Sequence, residues 1–121
     1  MLLYEDLTRT IIGIAMEIHR TLGPGFLESV YENAMGKELT DRKIPFENQF
    51  LLQVYYKEVS IGEYYADMFV DGKIILEIKA VSALVPRHEA QAIHYLAATK
   101  TRLALLLNFG TPKLQFKRII K

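Results

Sequence analysis

Two strongly apolar segments, 74–81 and 103–108, place the tightest limits on how this chain can fold. Between them, Pro86 stands where the first residue of a helix is expected, because its missing N–H costs no hydrogen bond there. This helix is predicted to run to about Lys100. Segment 103–108 shows no polar alternation and is typical of a strand covered on both faces. A strand, helix, strand unit of this kind predicts a right-handed parallel crossover inside a mixed sheet.

Two helices are predicted before this unit. From Glu5 to Leu22 apolar residues recur at the spacing of one helix face, and Gly23-Pro24-Gly25 ends that helix. A second helix is predicted from about Phe26 to Arg42. Its inward-facing residues are predicted to be Leu27, Val30, Ala34 and Leu39.

Three further strands are predicted from segments rich in apolar and aromatic residues. They are 46–58 and 62–71, joined by a turn at 59–62, and a last strand at 114–120 whose Lys and Arg residues suit a sheet edge. The element order is therefore α-α-β-β-β-α-β-β. We expect an α/β fold with a mixed central sheet flanked by helices, in one domain spanning 1–121.

The composition excludes several classes of function. Lys and Arg total 15 against 14 for Asp and Glu, so the net charge of +1 gives no general attraction to nucleic acid or to a membrane. Cysteine is absent, which excludes disulfides, thiolate catalysis and cysteine-ligated zinc. The N-terminal residues do not resemble a secretory signal, and no apolar run is long enough to span a bilayer. We expect a cytoplasmic protein with no membrane partner.

The register of the hairpin formed by 62–71 and 74–81 decides where its carboxylates lie. A two-residue Asp71-Gly72 turn would set Asp67 opposite Leu76 and place an acidic residue on the apolar face. An unpaired carboxylate facing the core would cost several kcal/mol. A loop with an odd number of residues, such as 70–72 with Gly72 left-handed, avoids this cost.

In the odd register the side chains sort into two faces. The apolar face contains Tyr64, Ala66, Met68, Val70, Ile74, Leu76, Ile78 and Ala80. The other face contains Tyr65, Asp67, Phe69, Ile75, Glu77 and Lys79. Two converging carboxylates favour a bound cation, and oxygen ligands favour magnesium or manganese. The alternative is a cross-strand ion-pair cluster on a solvated face, although the apolar residues on that face favour partial burial.

Two motifs carry a resemblance to a known family. Asp67, followed after nine residues by Glu77-Ile78-Lys79, resembles the D-x(n)-E-x-K core of the PD-(D/E)XK nuclease superfamily. Segment 25–31 reads G-x-x-E-x-x-Y, and the chain resembles the GxxExxY protein family assigned to that superfamily. The resemblance extends over nearly the whole chain through 19–25, 65–67, 76–81, 91–96 and 107–110. It implies a restriction-endonuclease-like αβββαβ core with an extra N-terminal helix and C-terminal strand.

The resemblance also implies a set of site residues. An acidic residue on the first core helix completes the superfamily's metal site, and Glu28 matches that position. Glu32, one turn further on, is a substitute candidate, but we expect it to be an ordinary solvated residue of the helix surface. The implied catalytic residues are Glu28, Asp67, Glu77 and Lys79. The implied ligands of one or two Mg²⁺ or Mn²⁺ ions are Glu28, Asp67, Glu77 and the backbone carbonyl of Ile78.

Accessory residues are expected on the helix after the E-x-K motif. Gln91 and Tyr95 resemble the Q-x-x-x-Y element of exonuclease-like branches of the superfamily, and His88 lies on the same helical stripe. This stripe either binds a phosphate or orients Lys79, or it is plain helix surface. Tyr31 is a further accessory candidate, although its ring is expected to pack while its hydroxyl finds one partner.

Two hypotheses of different classes follow, and a third concerns the substrate. The first is a metal-dependent nuclease that hydrolyses phosphodiesters of DNA or RNA. The second is a nuclease-like binding or homo-oligomeric assembly module with little or no activity, motivated by the near-neutral charge. The exposed edge strands of an open sheet are compatible with a homodimer or higher homo-oligomer. The third is hydrolysis of another phosphate ester, since the chain has no glycine loop that binds nucleotides.

Overall fold

The computed structural model describes residues 2–121, and its order of helices and strands agrees with the predicted one. The elements are α1 (Glu5–Leu22), α2 (Glu28–Asp41), β1 (Phe46–Tyr56), β2 (Val59–Val70), β3 (Ile74–Lys79), α3 (Pro86–Thr99), β4 (Leu103–Asn108) and β5 (Gln115–Ile120). Within residues 2–121, no helix is both long and apolar enough to cross a membrane.

The strands form one mixed sheet in the order β1-β2-β3-β4-β5. β3 and β4 are parallel and are connected through α3, whereas the other neighbouring pairs are antiparallel. The predicted parallel unit is therefore confirmed, and β5 is an edge strand as expected.

Each face of the sheet has its own hydrophobic core. All six side chains of β4 are buried, and the five apolar ones alternate between the two cores, which confirms a strand covered on both faces. Leu103, Leu105 and Leu107 pack in the core that α1 and α2 cover. Ala104 and Leu106 pack in the core that α3 covers. This double coverage places β3 and β4 at the buried centre of the fold.

The buried face of α2 agrees with the prediction at Leu39, and Ala34 packs partly buried against the same core, but the prediction is wrong for Leu27 and Val30. Tyr31, Met35 and Leu39 are buried, whereas Leu27 and Val30 are exposed. The helix begins at Glu28, so Leu27 is the non-helical residue before it and does not belong to a helical stripe. The core instead receives side chains spaced four residues apart, one above the other on the helix.

The turn between β1 and β2 also differs from the prediction. It is formed by Lys57 and Glu58, both in the left-handed region at φ 47° and 69°. Val59 therefore already pairs with Tyr56, and the predicted turn at 59–62 lies inside β2. The predicted turn segment contained a glycine, but the two-residue turn of the structure uses non-glycine residues with positive φ.

Candidate active site

The β2–β3 register brings the two predicted carboxylates opposite each other. Val70 pairs with Ile74, and the same register continues through Met68 and Leu76, so that the next positions are Asp67 and Glu77. The connecting loop has the predicted odd number of residues, although it comprises 71–73 rather than 70–72. Gly72 is left-handed as predicted, at φ 63°. Burial of the apolar face was therefore sufficient to predict that Asp67 and Glu77 lie on the same face of the two strands.

The alternation of β2 is interrupted at Asp67, which corrects the predicted face of Tyr64 and Ala66. Met68 packs in the core under α1 and α2, but Ala66 packs in the core under α3. Tyr64 also lies on the α3 side, against Tyr95. Opposite the interruption, Gln49 of β1 has φ 50°, and the strand pairing skips Gln49 and Asp67. Beyond Asp67, β2 no longer pairs with β3.

At this interruption the two carboxylates bind backbone groups across the strands. Asp67 Oδ2 accepts a hydrogen bond from the Ile78 N–H at 2.7 Å. The Asp67 N–H donates to Glu77 Oε1 at 3.4 Å. Ile78, whose carbonyl is the expected backbone ligand, therefore lies directly beside Asp67.

Burial shapes the electrostatics of this pair. The Glu77 side chain is only 3% exposed, and burial together with the negative charge of Asp67 raises the pKa of Glu77 to about 8. Burial also raises the pKa of Asp67, opposed by the Ile78 N–H and by the positive charge of Lys79. A buried carboxylate pair holds a proton or another cation more readily than it holds two negative charges.

Helix α2 adds two acidic residues to this cluster. Glu28 is exposed at the first turn of α2, and its negative charge contributes to the raised pKa of Asp67. Glu32, one turn further on, accepts hydrogen bonds from Gln49 Nε2 at 3.1 and 3.4 Å. Burial raises the pKa of Glu32, and Asp67 adds to the rise. Glu32 is therefore not the ordinary solvated helix residue that the sequence suggested.

Tyr31 holds the loop that leads into α2. Its hydroxyl donates to the Gly23 carbonyl at 2.6 Å and accepts from the Phe26 N–H at 3.2 Å. Its ring stacks on Phe109 with centroids 4.4 Å apart. The hydroxyl thus has two partners rather than the one expected, and both fix the loop that precedes Glu28. Tyr31 is buried, and it stabilises the loop before Glu28.

A hydrogen-bonded chain connects Lys79 to α3. Lys79 Nζ donates to Gln91 Oε1 at 3.4 Å, and Gln91 Nε2 donates to the Tyr95 hydroxyl at 2.9 Å. Tyr95 is buried, and burial raises its pKa to about 12, so its hydroxyl stays protonated at neutral pH. The stripe of Gln91 and Tyr95 therefore faces the sheet and contacts Lys79, and the opposite side of α3, at Ile93, is 50% exposed.

His88 lies on the same stripe but is engaged elsewhere. Its Nδ1 accepts a hydrogen bond from the Val85 N–H at 3.1 Å, at the start of α3. Burial lowers the pKa of His88, and the positive charges of Lys79 and Arg87 act in the same direction. The imidazole is accordingly neutral at pH 7 and stabilises the beginning of the helix.

The donor set fits a hard divalent cation, although its geometry is not fully assembled. Within residues 2–121, no group of three or more His, Asp or Glu side chains is already close enough together to hold an ion. Asp67 and Glu77 supply carboxylate oxygens in a buried, negative environment, which is the ligand chemistry that magnesium and manganese prefer. Glu28 is the exposed member of the predicted set of carboxylate ligands.

Two supporting residues were missed by sequence reasoning. Gln49 contacts Glu32, and its side chain also lowers the pKa of Asp67, so it lies between the helix and strand carboxylates. No pattern in 46–58 marks its left-handed backbone. Asn108 is buried and bonds Val81 and Gly110. The Asn-Phe-Gly sequence at 108–110 was the signal that could have revealed this contact. Gly110 lies so close to the Val81 backbone that a Cβ there would collide with it.

Comparison with known proteins places this fold. The crystal structure of SSO0001 is similar to the chain with a TM-score of 0.61 and 17% sequence identity, over 77% of this chain and 49% of that one. This chain thus spans about half the length of SSO0001, and the likeness is one of fold. A search of curated proteins found no match.

The five-stranded mixed sheet with flanking helices is that of the restriction-endonuclease-like α/β class. A family model described as PD-(D/E)XK nuclease superfamily matches residues 5–119. The chain therefore belongs to the PD-(D/E)XK nuclease superfamily. The narrower resemblance to the GxxExxY family remains a prediction.

Proposed function

We propose that residues 1–121 form one nuclease domain that hydrolyses phosphodiester bonds of nucleic acid with the help of Mg²⁺ or Mn²⁺. The observation that supports this proposal best is the pairing of half-buried Asp67 with buried Glu77, with Lys79 two residues further along β3. Superfamily membership points to the same class of chemistry.

In this proposal the chain's carboxylates hold the cation and Lys79 acts on the phosphate. Asp67, Glu77 and the Ile78 carbonyl are the ligands, and Glu28 completes the set. The bound ion supplies Lewis acidity for the attack of water on the scissile phosphate. Lys79 stabilises the negative charge that develops on the phosphate oxygens. Gln91, held by Tyr95, fixes the position of the Lys79 ammonium.

Isosteric substitutions test this assignment. Asp67→Asn and Glu77→Gln keep the volume of each side chain and remove its charge, so cleavage should fall by at least about 100-fold, the scale of losing several kcal/mol of charge stabilisation. Single- and double-stranded DNA and RNA are incubated with each variant in magnesium, manganese and calcium. Glu63→Gln, an exposed position on β2, is the matched control. Cleavage that survives in both Asp67→Asn and Glu77→Gln would rule the site out.

The apolar tip of the β1–β2 hairpin favours a second candidate, a homo-oligomeric assembly module with little or no activity. Tyr55, Tyr56, Val59 and Ile61 are each at least 60% exposed there. Exposed apolar clusters of this kind mark protein contacts. Light scattering on the purified protein gives the native mass. A stable oligomer that Ile61→Lys dissociates, together with no cleavage of any substrate, would favour assembly over catalysis.

A further inference from the structure

A groove beside Lys79 is lined by apolar, positively charged and aromatic side chains that are not part of the proposed metal site. It lies between α3 and the β1–β2 hairpin and has a volume of about 690 Å³, within the usual range of small-molecule sites. Its apolar part is formed by Leu52, Val54, Ala90 and Ala98. Lys79 lines this groove and lies two residues from Glu77 on β3, so the groove is adjacent to the candidate metal site.

The charge of the groove is positive although that of the chain is nearly balanced. Lys79 and Arg87 line it, together with the polar side chains of Gln91 and His94. Among residues 2–121, no Asp or Glu lines this groove. A chain with a net charge of +1 therefore has a local surface that attracts an anion, directly beside carboxylates suited to a cation.

Tyr64 supplies an aromatic surface in the same groove. Its side chain is 51% exposed, and its ring centroid lies 6.1 Å from that of the buried Tyr95. Tyr64 is on this face because the alternation of β2 is interrupted at Asp67; regular alternation would have placed it in the opposite core. The interruption of β2 at Asp67 thus also places the Tyr64 ring in the groove.

We propose that this groove binds one unpaired nucleotide next to the scissile phosphate, with its base stacked on Tyr64 and its phosphate against Arg87. The preferred substrate class is therefore single-stranded or splayed nucleic acid. This inference rests on the proposed nuclease function and names the substrate class of the same site. Aromatic stacking accepts any base, because each has a π face. A base inside a duplex reaches the groove only after it leaves the stack, which costs a few kcal/mol.

Binding measurements with side-chain variants test the groove directly. A fluorescent single-stranded oligonucleotide is titrated with protein in calcium, and a gel verifies that it stays intact. Tyr64→Ala should weaken binding by roughly 5- to 100-fold, the loss expected for one stacked base, whereas Tyr64→Phe should bind nearly as the unaltered protein does. Tyr56→Ala, which removes another exposed tyrosine at the hairpin tip, outside the groove, should have no effect.

The phosphate contact has its own readout. Arg87→Gln should weaken binding of all sequences alike and reduce the slope of log affinity against log salt by about 0.7 to 1. Ala90→Ser, one helical turn further along the same groove, serves as a control that leaves the charge unchanged.

Two substrate comparisons use only the unaltered protein, so they hold even if Tyr64→Ala fails to fold. A duplex of the same sequence should bind at least about 10-fold more weakly than the single strand, and an abasic nucleotide at one position of the single strand should reduce affinity by a similar factor. Equal binding of duplex and single strand, or no effect of any abasic position, would overturn the inference. Nuclease function fails on a different result, cleavage that persists in Asp67→Asn and Glu77→Gln.

Discussion

Replacement of Glu77 by glutamine should make the metal-free protein more stable at alkaline pH. Glu77 is buried, and its pKa rises from 4.5 to about 8 on folding because of burial and the nearby Asp67 carboxylate. Between these two values the folded protein binds a proton that the unfolded chain has released. The free energy of unfolding of the metal-free protein therefore falls as pH rises from about 4.5, and the loss is complete above about 8.

The magnitude follows from the same two values. At about 1.4 kcal/mol for each pH unit, a rise from 4.5 to about 8 corresponds to roughly 5 kcal/mol of destabilisation by the ionised Glu77. Relaxation of the site and entry of water reduce this figure, and we expect a loss of about 2–4 kcal/mol between pH 5 and pH 8.5. Glutamine has nearly the same shape and does not titrate. The Glu77→Gln variant should keep most of the stability that the unaltered protein loses.

Urea denaturation in EDTA, followed by circular dichroism at several pH values from 5 to 8.5, measures this difference. Glu63→Gln is the control, because this exposed carboxylate should leave the pH profile unchanged. Asp67 also has a raised pKa and adds a smaller loss of the same sign in every variant that retains it. Parallel stability profiles for Glu77→Gln and the unaltered protein would show that Glu77 is not held in a desolvated environment, and our explanation of the site would then be wrong.

Two further substitutions test the supporting residues. Gln49→Ala removes the side chain between Glu32 and Asp67. It should weaken magnesium binding, measured by calorimetry, by about 10-fold or more, while thermal unfolding changes little. Gln53→Ala on the same strand is the control, and equal magnesium affinity in both variants would contradict a supporting role of Gln49 at the metal site. Tyr31→Phe removes both hydroxyl contacts and should lower the free energy of unfolding by about 1–3 kcal/mol in urea titrations, so an unchanged value would contradict the proposed support of the loop before α2.

The centre of the candidate site could be predicted because it depends on burial alone. A continuous apolar face on β3 leaves only one parity for Asp67 and Glu77, and the structure has that parity. The Gln91 and Tyr95 pair could be predicted as a stripe from its spacing. The side of α3 that faces the sheet could not be predicted in this way. Its buried residues, such as Ala92 and Leu96, are no more apolar than the exposed Ile93.

The rim of the site depends on local backbone conformations that leave no mark in the composition. Gln49, beside the site, adopts positive φ, as do Lys57 and Glu58 at the hairpin turn, although none of them is glycine, asparagine or aspartate. A strict two-residue alternation therefore misplaced Tyr64 and Ala66. The same local choice placed Gln49 where it contacts Glu32. Sequence periodicity describes regular strands and contains no information on the one residue at which regularity ends.

The separation of β2 from β3 beyond Asp67 divides the sheet into a fixed part and an arm. The fixed part carries Glu77 and Lys79 on β3, which β4 supports along its whole length. The outer part of the arm, from Tyr55 to Ile61, pairs only within its own hairpin. Residues inserted at the Lys57 and Glu58 turn would lengthen the arm without displacing any carboxylate. The length of the hairpin is thus structurally independent of the part of the sheet that holds Glu77 and Lys79.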